Sequence, residues 1–154
     1  MDVFTKEKRS EIMSKIRAKN TKAERIVFRY LGSNRVYFQK HYKRVAGCPD
    51  IALPRKKIAV FIDGDFWHGR DFARRKDRLP DYWKSKIETN MKRDRRNRRA
   101  LVRAGWKIMR VWEKDLMKSE EVYCEKIKLF ILDMYAFPPK ASPKTRSVRP
   151  VSKT

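Results

Sequence analysis

The sequence predicts an α/β fold, a mixed sheet flanked by helices, and three observations carry that reading. Ile58 to Ile62 is apolar at every position, which marks a buried strand. Segments with strand character lie before it, at 35–42 and 50–53, and after it, at 106–112. Three further stretches space their apolar residues as helices do. The order is helix, three strands, helix, strand, helix. Hairpins can join the first strands, whereas strand–helix–strand needs a crossover, so the sheet contains both directions.

Each element has its own warrant. Residues 1–19 are polar, with Ile12, Met13 and Ile16 as their only apolar grip, and read as a weakly amphipathic arm. Thr21-x-x-Glu24 has capping-box spacing, so a helix starts at about Thr21. Ala23, Val27, Tyr30 and Leu31 line one face of it, and Gly32 is a stop signal. Residues 35–42 are aromatic and β-branched, hence a strand. Gly47-Cys48-Pro49 marks a turn, Asp50–Leu53 a short strand, and Pro54–Lys57 a hairpin connection into Ile58–Ile62, which ends in Asp63-Gly64-Asp65. Residues 70–80 are a charged loop. Asp81 is placed to cap a long helix through about Arg103, with Trp83, Ile87, Met91, Leu101 and Val102 as its buried stripe. Gly105 ends it, and 106–112 is a mostly buried strand. A last helix over 119–136 turns Val122, Ile127, Phe130, Ile131 and Met134 inward. From Pro138 onward the chain is Pro, Ser, Lys and Arg without an acid, the composition of a disordered tail. The expected organisation is an arm over 1–19, one folded domain over 20–136 and a basic tail over 137–154.

A chain of 154 residues suits one domain. Its 41 Lys and Arg against 18 Asp and Glu give a formal charge of +23, which calls for a polyanionic partner, most commonly nucleic acid. The longest apolar run, Ile58 to Ile62, is five residues and cannot span a bilayer. The polar start MDVFTKEKRS is unlike a secretory leader, so a cytoplasmic protein is expected. Cys48 and Cys124 are too few for a disulfide framework or a four-cysteine zinc site and read as free thiols.

In so basic a chain the acids are informative. A carboxylate near bound DNA opposes phosphate, so one kept there points to a cation. Asp50 starts a short apolar strand, and Asp63 and Asp65 follow the buried one. Mg²⁺ uses one or two carboxylates, several waters and the phosphate itself. The plainer reading has these acids capping turns around Gly47 and Gly64. Asp94 lies three residues beyond Met91 and seven beyond Ile87, on the inward face of its helix. A buried carboxylate needs a partner, either an arginine of the Arg93–Arg96 cluster or a histidine. Glu24 has a structural reading as the capping-box acid reaching back to the Thr21 amide.

His41 sits in a basic strand with no chemical context, whereas His68 follows Phe66-Trp67 and the acidic turn. A histidine held by a carboxylate can act as a general base near neutral pH, and activating water against phosphate needs such a base plus a metal. The alternative is a packed histidine. Phe66, Trp67 and Trp83 are either core or wedges for a base step, and a mismatched pair lowers the cost of the wedge. The run Lys92–Arg99 is a solvated helix face that positions phosphates without reading sequence. The basic tail adds sequence-independent attraction.

Several blocks then fall in order and spacing. They are Arg9-Ser-x-x-Met13-x-x-Ile16, Thr21-x-x-Glu24, Gly47-x-Pro49-Asp50, Val60-Phe-Ile-Asp63-Gly64-x-Phe66-Trp67-His68, Tyr82-Trp83-x-x-Lys86-Ile87-x-x-Asn90-x-x-Arg93-Asp94 and Gly105-Trp106-x-x-x-x-Val111-Trp112-Glu113. Together they resemble the very short patch repair (Vsr) mismatch endonucleases over about residues 6–135. The resemblance implies a restriction-endonuclease-like (PD-(D/E)xK-type) fold. It implies Mg²⁺ or Mn²⁺ on Asp50 and the Ile62 backbone carbonyl, with Glu24 acting through water and Asp63 as a further candidate. His68 becomes the general base and Asp94 the residue that orients it. Phe66, Trp67 and Trp83 match the intercalating aromatics, with Lys86, Arg93, Arg95 and Arg96 as further DNA contacts and residues 1–19 reaching around the duplex. The implied reaction nicks one strand of duplex DNA 5′ of the T in a T·G mismatch.

Many members of that family carry a structural zinc site. Here Asp65, Arg70 and Lys114 stand where its ligands would be, so no zinc is expected, and charged contacts of Asp65 with Arg70 or Lys114 are expected in its place. The preferred reading is therefore a metal-dependent strand-nicking DNA endonuclease, monomeric, in the bacterial cytoplasm at the nucleoid. The rivals are a sequence- or structure-specific nuclease of a defence or mobile-element system, a non-catalytic DNA-binding protein and an RNA-binding protein.

Overall fold

Helix α1 spans Lys6–Lys15 and α2 spans Lys22–Ser33. The structure, a computed structural model, describes residues 4–15 and 19–132; Ile16, Met134 and the basic tail lie outside them. Thr21 is the N-cap of α2, its hydroxyl accepting from the Glu24 N–H at 3.3 Å. The Glu24 carboxylate returns to the Asn20 N–H at 2.8 Å, with the expected Thr21 amide as its weaker main-chain partner.

The strand expected over 35–42 shrinks to β1, Gln39–Lys40. Arg35 and His41 hold φ of 59° and 47°, a left-handed conformation that interrupts a ladder. Val36 and Phe38 pack against the core instead of pairing. Strand β2 (Ile51–Leu53) and β3 (Ile58–Asp63) form the expected hairpin, closed by a 3₁₀ turn over Pro54–Lys56 with Lys57 left-handed. The charged loop contains a short helix, α3 (Phe72–Arg75). Helix α4 runs Asp81–Arg103 and leads to β4 (Lys107–Trp112). Pro80, not Asp81, occupies the N-cap position, and no side chain caps this helix. The single expected last helix is two, α5 (Glu113–Lys118) and α6 (Glu120–Ile131), broken at Ser119 with ψ of 65°.

The sheet has the order β1-β2-β3-β4. The first two pairings are antiparallel, and β4 lies parallel to β3, reached through α3 and α4. Side chains alternate across a strand. Ile58, Val60 and Ile62 of β3 join Val27 and Leu31 of α2, Leu116 of α5, and Ile127 and Ile131 of α6 in one core. The other face of β3 turns Phe61 and Asp63 into a cleft bordered by α4. The Tyr30 hydroxyl, donating to Glu125, further ties α2 to α6.

Two core expectations need correction. Val102 is 62% exposed: the α4 stripe continues at Leu101, and its neighbour points roughly 100° away. Val122 is 52% exposed, and Cys124 takes the inward place with Ile127 and Ile131 at helical spacing. Among the described residues, no helix is long and apolar enough to cross a membrane.

Leu116 is fully buried where α2, α5 and the sheet meet. Leu116→Ala is expected to destabilise the domain by about 2–5 kcal/mol, read as a lowered urea midpoint at unchanged slope.

Candidate active site

Asp50 stands where main-chain pairing of β2 with β3 ends. Its Oδ2 accepts from the Ile62 N–H at 2.7 Å, so a side chain continues the ladder past Ile51↔Val60. Glu24 arrives from the first turn of α2 and is only 3% exposed. His41 comes from the end of β1, its Nε2 3.3 Å from Glu24 Oε2 and its Nδ1 3.7 Å from Asp50 Oδ1. One ligand atom from each of the three lies within 4.8 Å of the other two. His41 carries no local signal in the sequence. Positions 24, 41 and 50 meet only through tertiary pairing, which includes the His41 N–H donating to the Asp50 carbonyl at 3.0 Å. No local spacing signals that.

Burial pushes the Asp50 carboxyl up to about 7, the Ile62 N–H opposes this, and the charges of Glu24 and Asp63 add to it. Burial likewise raises Glu24 above its ordinary value against the Asn20 bond. His41 is held below its ordinary value by burial and by Lys19 and Lys40.

Asp94 finds a histidine. His68 Nδ1 and Asp94 Oδ2 are 2.5 Å apart, while the Arg93 guanidinium is 3.6 Å from the other oxygen. His68 Nε2 faces Asp63 Oδ1 at 3.7 Å. Asp63 in turn accepts from Arg110 Nε at 2.6 Å, an arginine the sequence reading did not single out. Burial alone would lower the His68 pKa, but the Asp94 hydrogen bond and the Asp63 charge outweigh it and hold it above the ordinary value. Asp94 is lowered: burial opposes this, but the His68 bond prevails.

The loop carrying His68 is fastened residue by residue to α4. Asn90 donates to the Trp67 carbonyl at 3.2 Å. Gly69 has φ of 72°, and a Cβ there would lie 2.3 Å from Met91 Sδ. Phe66, Trp67 and Trp83 form one edge-to-face cluster with centroids 4.8–6.5 Å apart; Trp83 is buried and the other two half-buried. Asp65 makes the expected charged contact with Arg70, accepting from its Nη1 at 2.9 Å, whereas from Lys114 it accepts only the main-chain N–H, at 2.9 Å. The Lys114 side chain is not part of that contact. Arg70 also binds Asp115 at 2.8 Å.

A cleft of about 1050 Å³ collects Glu24, His41, Asp50, Asp63, His68 and Asp94, with Lys86, Arg93, Arg98 and Arg110 at its walls. Arg95 instead lines a separate groove with Arg99 and Arg103, and Arg96 is exposed on α4. The arrangement combines a buried carboxylate, Glu24, and a half-buried one, Asp50, able to hold a cation, a carboxylate-held imidazole able to move a proton, and a basic wall able to meet phosphate.

Two expectations follow from this geometry. Gly69→Ala forces both a left-handed alanine and a clash with Met91, so the activity of the site should fall by at least about tenfold while circular dichroism stays native. A carboxyl whose pKa is raised by folding stabilises the fold only while protonated. That contribution is whole below about pH 4 and is lost as pH rises through about 7. In the presence of a chelator the thermal midpoint should therefore drop by several degrees between about pH 5 and pH 8, and Asp50→Asn should flatten the drop.

A family model described as "DNA mismatch endonuclease Vsr" matches residues 1–74. The chain is 39% identical over 137 residues to "Type II nicking enzyme V.HpaIIP" of Haemophilus parainfluenzae, covering 86% of this chain and 97% of that one. It is 40% identical over 118 residues to "Type II nicking enzyme V.XorIIP" of Xanthomonas oryzae pv. oryzae, covering 75% and 86%. It is 30% identical over 125 residues to "DNA mismatch endonuclease Vsr" of Escherichia coli K12, covering 79% of each. The chain belongs to the Vsr family and is a DNA endonuclease that nicks DNA.

Proposed function

We propose that the protein nicks one strand of duplex DNA at or near a T·G mismatch, as a monomer at the bacterial nucleoid, using Mg²⁺ or Mn²⁺ in a restriction-endonuclease-like (PD-(D/E)xK-type) fold. The single observation that carries this reading is the His68–Asp94 pair opening on the same cleft as Asp50. The donor set suits a hard divalent ion. Asp50 and Glu24 are enclosed with main-chain donors and His41 rather than with Lys or Arg, so their charge is left for a cation. A strand residue turns its N–H and C=O to the same neighbour, so the Ile62 carbonyl faces the edge on which Asp50 sits. Asp63 is the weaker ligand candidate, since Arg110 already neutralises it. A bound divalent ion would stabilise negative charge developing on the phosphate oxygens.

The protein's own residues do the rest. Asp94 accepts the Nδ1–H of His68, which leaves Nε2 free to take a proton from water. The water oxygen then attacks phosphorus in line with the departing 3′ oxygen. Lys86, Arg93, Arg95 and Arg96 contact the backbone, and Phe66, Trp67 and Trp83 wedge the distorted base step. Residues 1–19 form the arm, an assignment supported by Arg9 lying 4.6 Å over the Tyr82 ring beside Trp83. The endonuclease domain is 20–136, and 137–154 adds salt-sensitive attraction.

A second reading keeps the chemistry and changes the substrate to matched or branched DNA. It is favoured by relatives named nicking enzymes, with no mismatch in the name. A gel assay on T·G and fully matched duplexes, with and without divalent ion, separates the two. Nicks confined to the mismatch support the first reading; cutting of matched DNA sinks it. His68→Ala and Asp50→Asn are each expected to lower the rate by about 10²–10⁴ with DNA binding retained. The acid limb of the wild-type rate should lie above the ordinary histidine value, because the base works unprotonated and Asp94 and Asp63 favour its protonated form. Asp94→Asn should move that limb to lower pH.

A further inference from the structure

Three donors from separate elements converge at one end of the cleft. The His41 ring sits between Glu24 and Asp50, with contacts of 3.3 and 3.7 Å, and its side chain is 14% exposed. Three features fix it there. Its N–H donates to the Asp50 carbonyl at 3.0 Å, and the Tyr42 N–H donates to the Pro49 carbonyl at 3.0 Å, locking the two backbones together. Phe28 meets the ring edge-on at 5.8 Å. The left-handed φ of 47° turns the residue out of β1 and toward the carboxylates.

The spacing fits a shared cation. Donors about 2.1 Å from an octahedral ion stand about 3 Å apart when adjacent and about 4.2 Å when opposite. Nε2 faces Glu24 and Nδ1 faces Asp50, and only one ring nitrogen can ligate a given ion; one ligand atom from each of the three side chains lies within 4.8 Å of the other two, so a small closure would bring that set to octahedral spacing. Two carboxylates offer only hard oxygen, the preference of Mg²⁺, whereas an imidazole nitrogen suits first-row transition ions.

We propose that His41 is a direct ligand of the active-site cation together with Asp50 and Glu24, making a mixed nitrogen–oxygen site that prefers Mn²⁺ to Mg²⁺. This rests on the reading of the protein as a metal-dependent nuclease. His41 thereby acts through the metal and separates this site from one built on carboxylates and carbonyls alone.

The test uses the full chain without DNA. Mn²⁺ binding is followed by calorimetry and by electron spin-echo spectroscopy, which detects a ligating ¹⁴N. Wild type should bind one Mn²⁺ with a clear ¹⁴N coupling. His41→Asn keeps the left-handed backbone accessible. It should abolish the coupling, weaken Mn²⁺ by about 10–100-fold and weaken Mg²⁺ by less, so the Mn²⁺/Mg²⁺ affinity ratio falls. His41→Gln, with native circular dichroism checked for both variants, guards against a folding artefact. Asp50→Asn should remove the site altogether. Asp50-dependent Mn²⁺ without ¹⁴N coupling, or a coupling that persists in His41→Asn, overturns the His41 ligand and leaves the nuclease reading standing. Mn²⁺ binding that is absent, or insensitive to Asp50→Asn, overturns both.

Discussion

The hydrogen bond from the Ile62 N–H to the Asp50 carboxylate organises the rest of the molecule. At that point β2 leaves β3, and the sheet would otherwise expose an unpaired amide inside the domain. By taking the amide with a side chain, Asp50 ends the pairing, opens the edge and fixes its own carboxylate in the opening. β4 then runs parallel beside β3 for its full length, so the other edge of β3 stays closed and only one side of the strand end can hold chemistry. Glu24 and His41 are carried to that open side by α2 and β1, while α4 delivers Asp94 from across the cleft.

The charge arrangement has the same logic. The chain is strongly basic, yet among the described residues its enclosed acids form no ion pair with a lysine. Asp63 is neutralised by Arg110 and Asp94 by His68, whereas Asp50 and Glu24 have main-chain donors and a histidine. Desolvating like charges without a cation disfavours the charged forms. Strain of that kind is common where a site is arranged for a ligand rather than for stability.

Much of this was legible because the signals were local or periodic. Ile58–Ile62 could be little other than a buried strand, and Asp94 could be placed inward by counting from Ile87 and Met91. Capping chemistry located the start of α2 at Thr21. What failed did so for tertiary reasons. Two left-handed residues, Arg35 and His41, cut the aromatic stretch down to a two-residue strand. In the last helix Val122 lies on the face opposite Ile131 at about 100° per residue, so Cys124 faces in with Ile127 and Ile131 and Val122 faces out. The same long-range pairing hid His41 and Arg110, whose partners lie 9 to 47 positions away in the chain. Glu24 proved to have both of its readings, since one carboxylate returns to the helix start and also borders the cleft.

The attachment of the 66–70 loop to α4 leaves it little slack. Trp67 is tied by its carbonyl to Asn90, Gly69 is pressed on Met91, and His68 is clasped by Asp94. Three consecutive residues are thus anchored within little more than one turn of a single helix. Such a loop behaves as a lever rather than a hinge. A displacement of the aromatic end is passed through those three attachments to the imidazole, so the two ends of the loop cannot be repositioned separately.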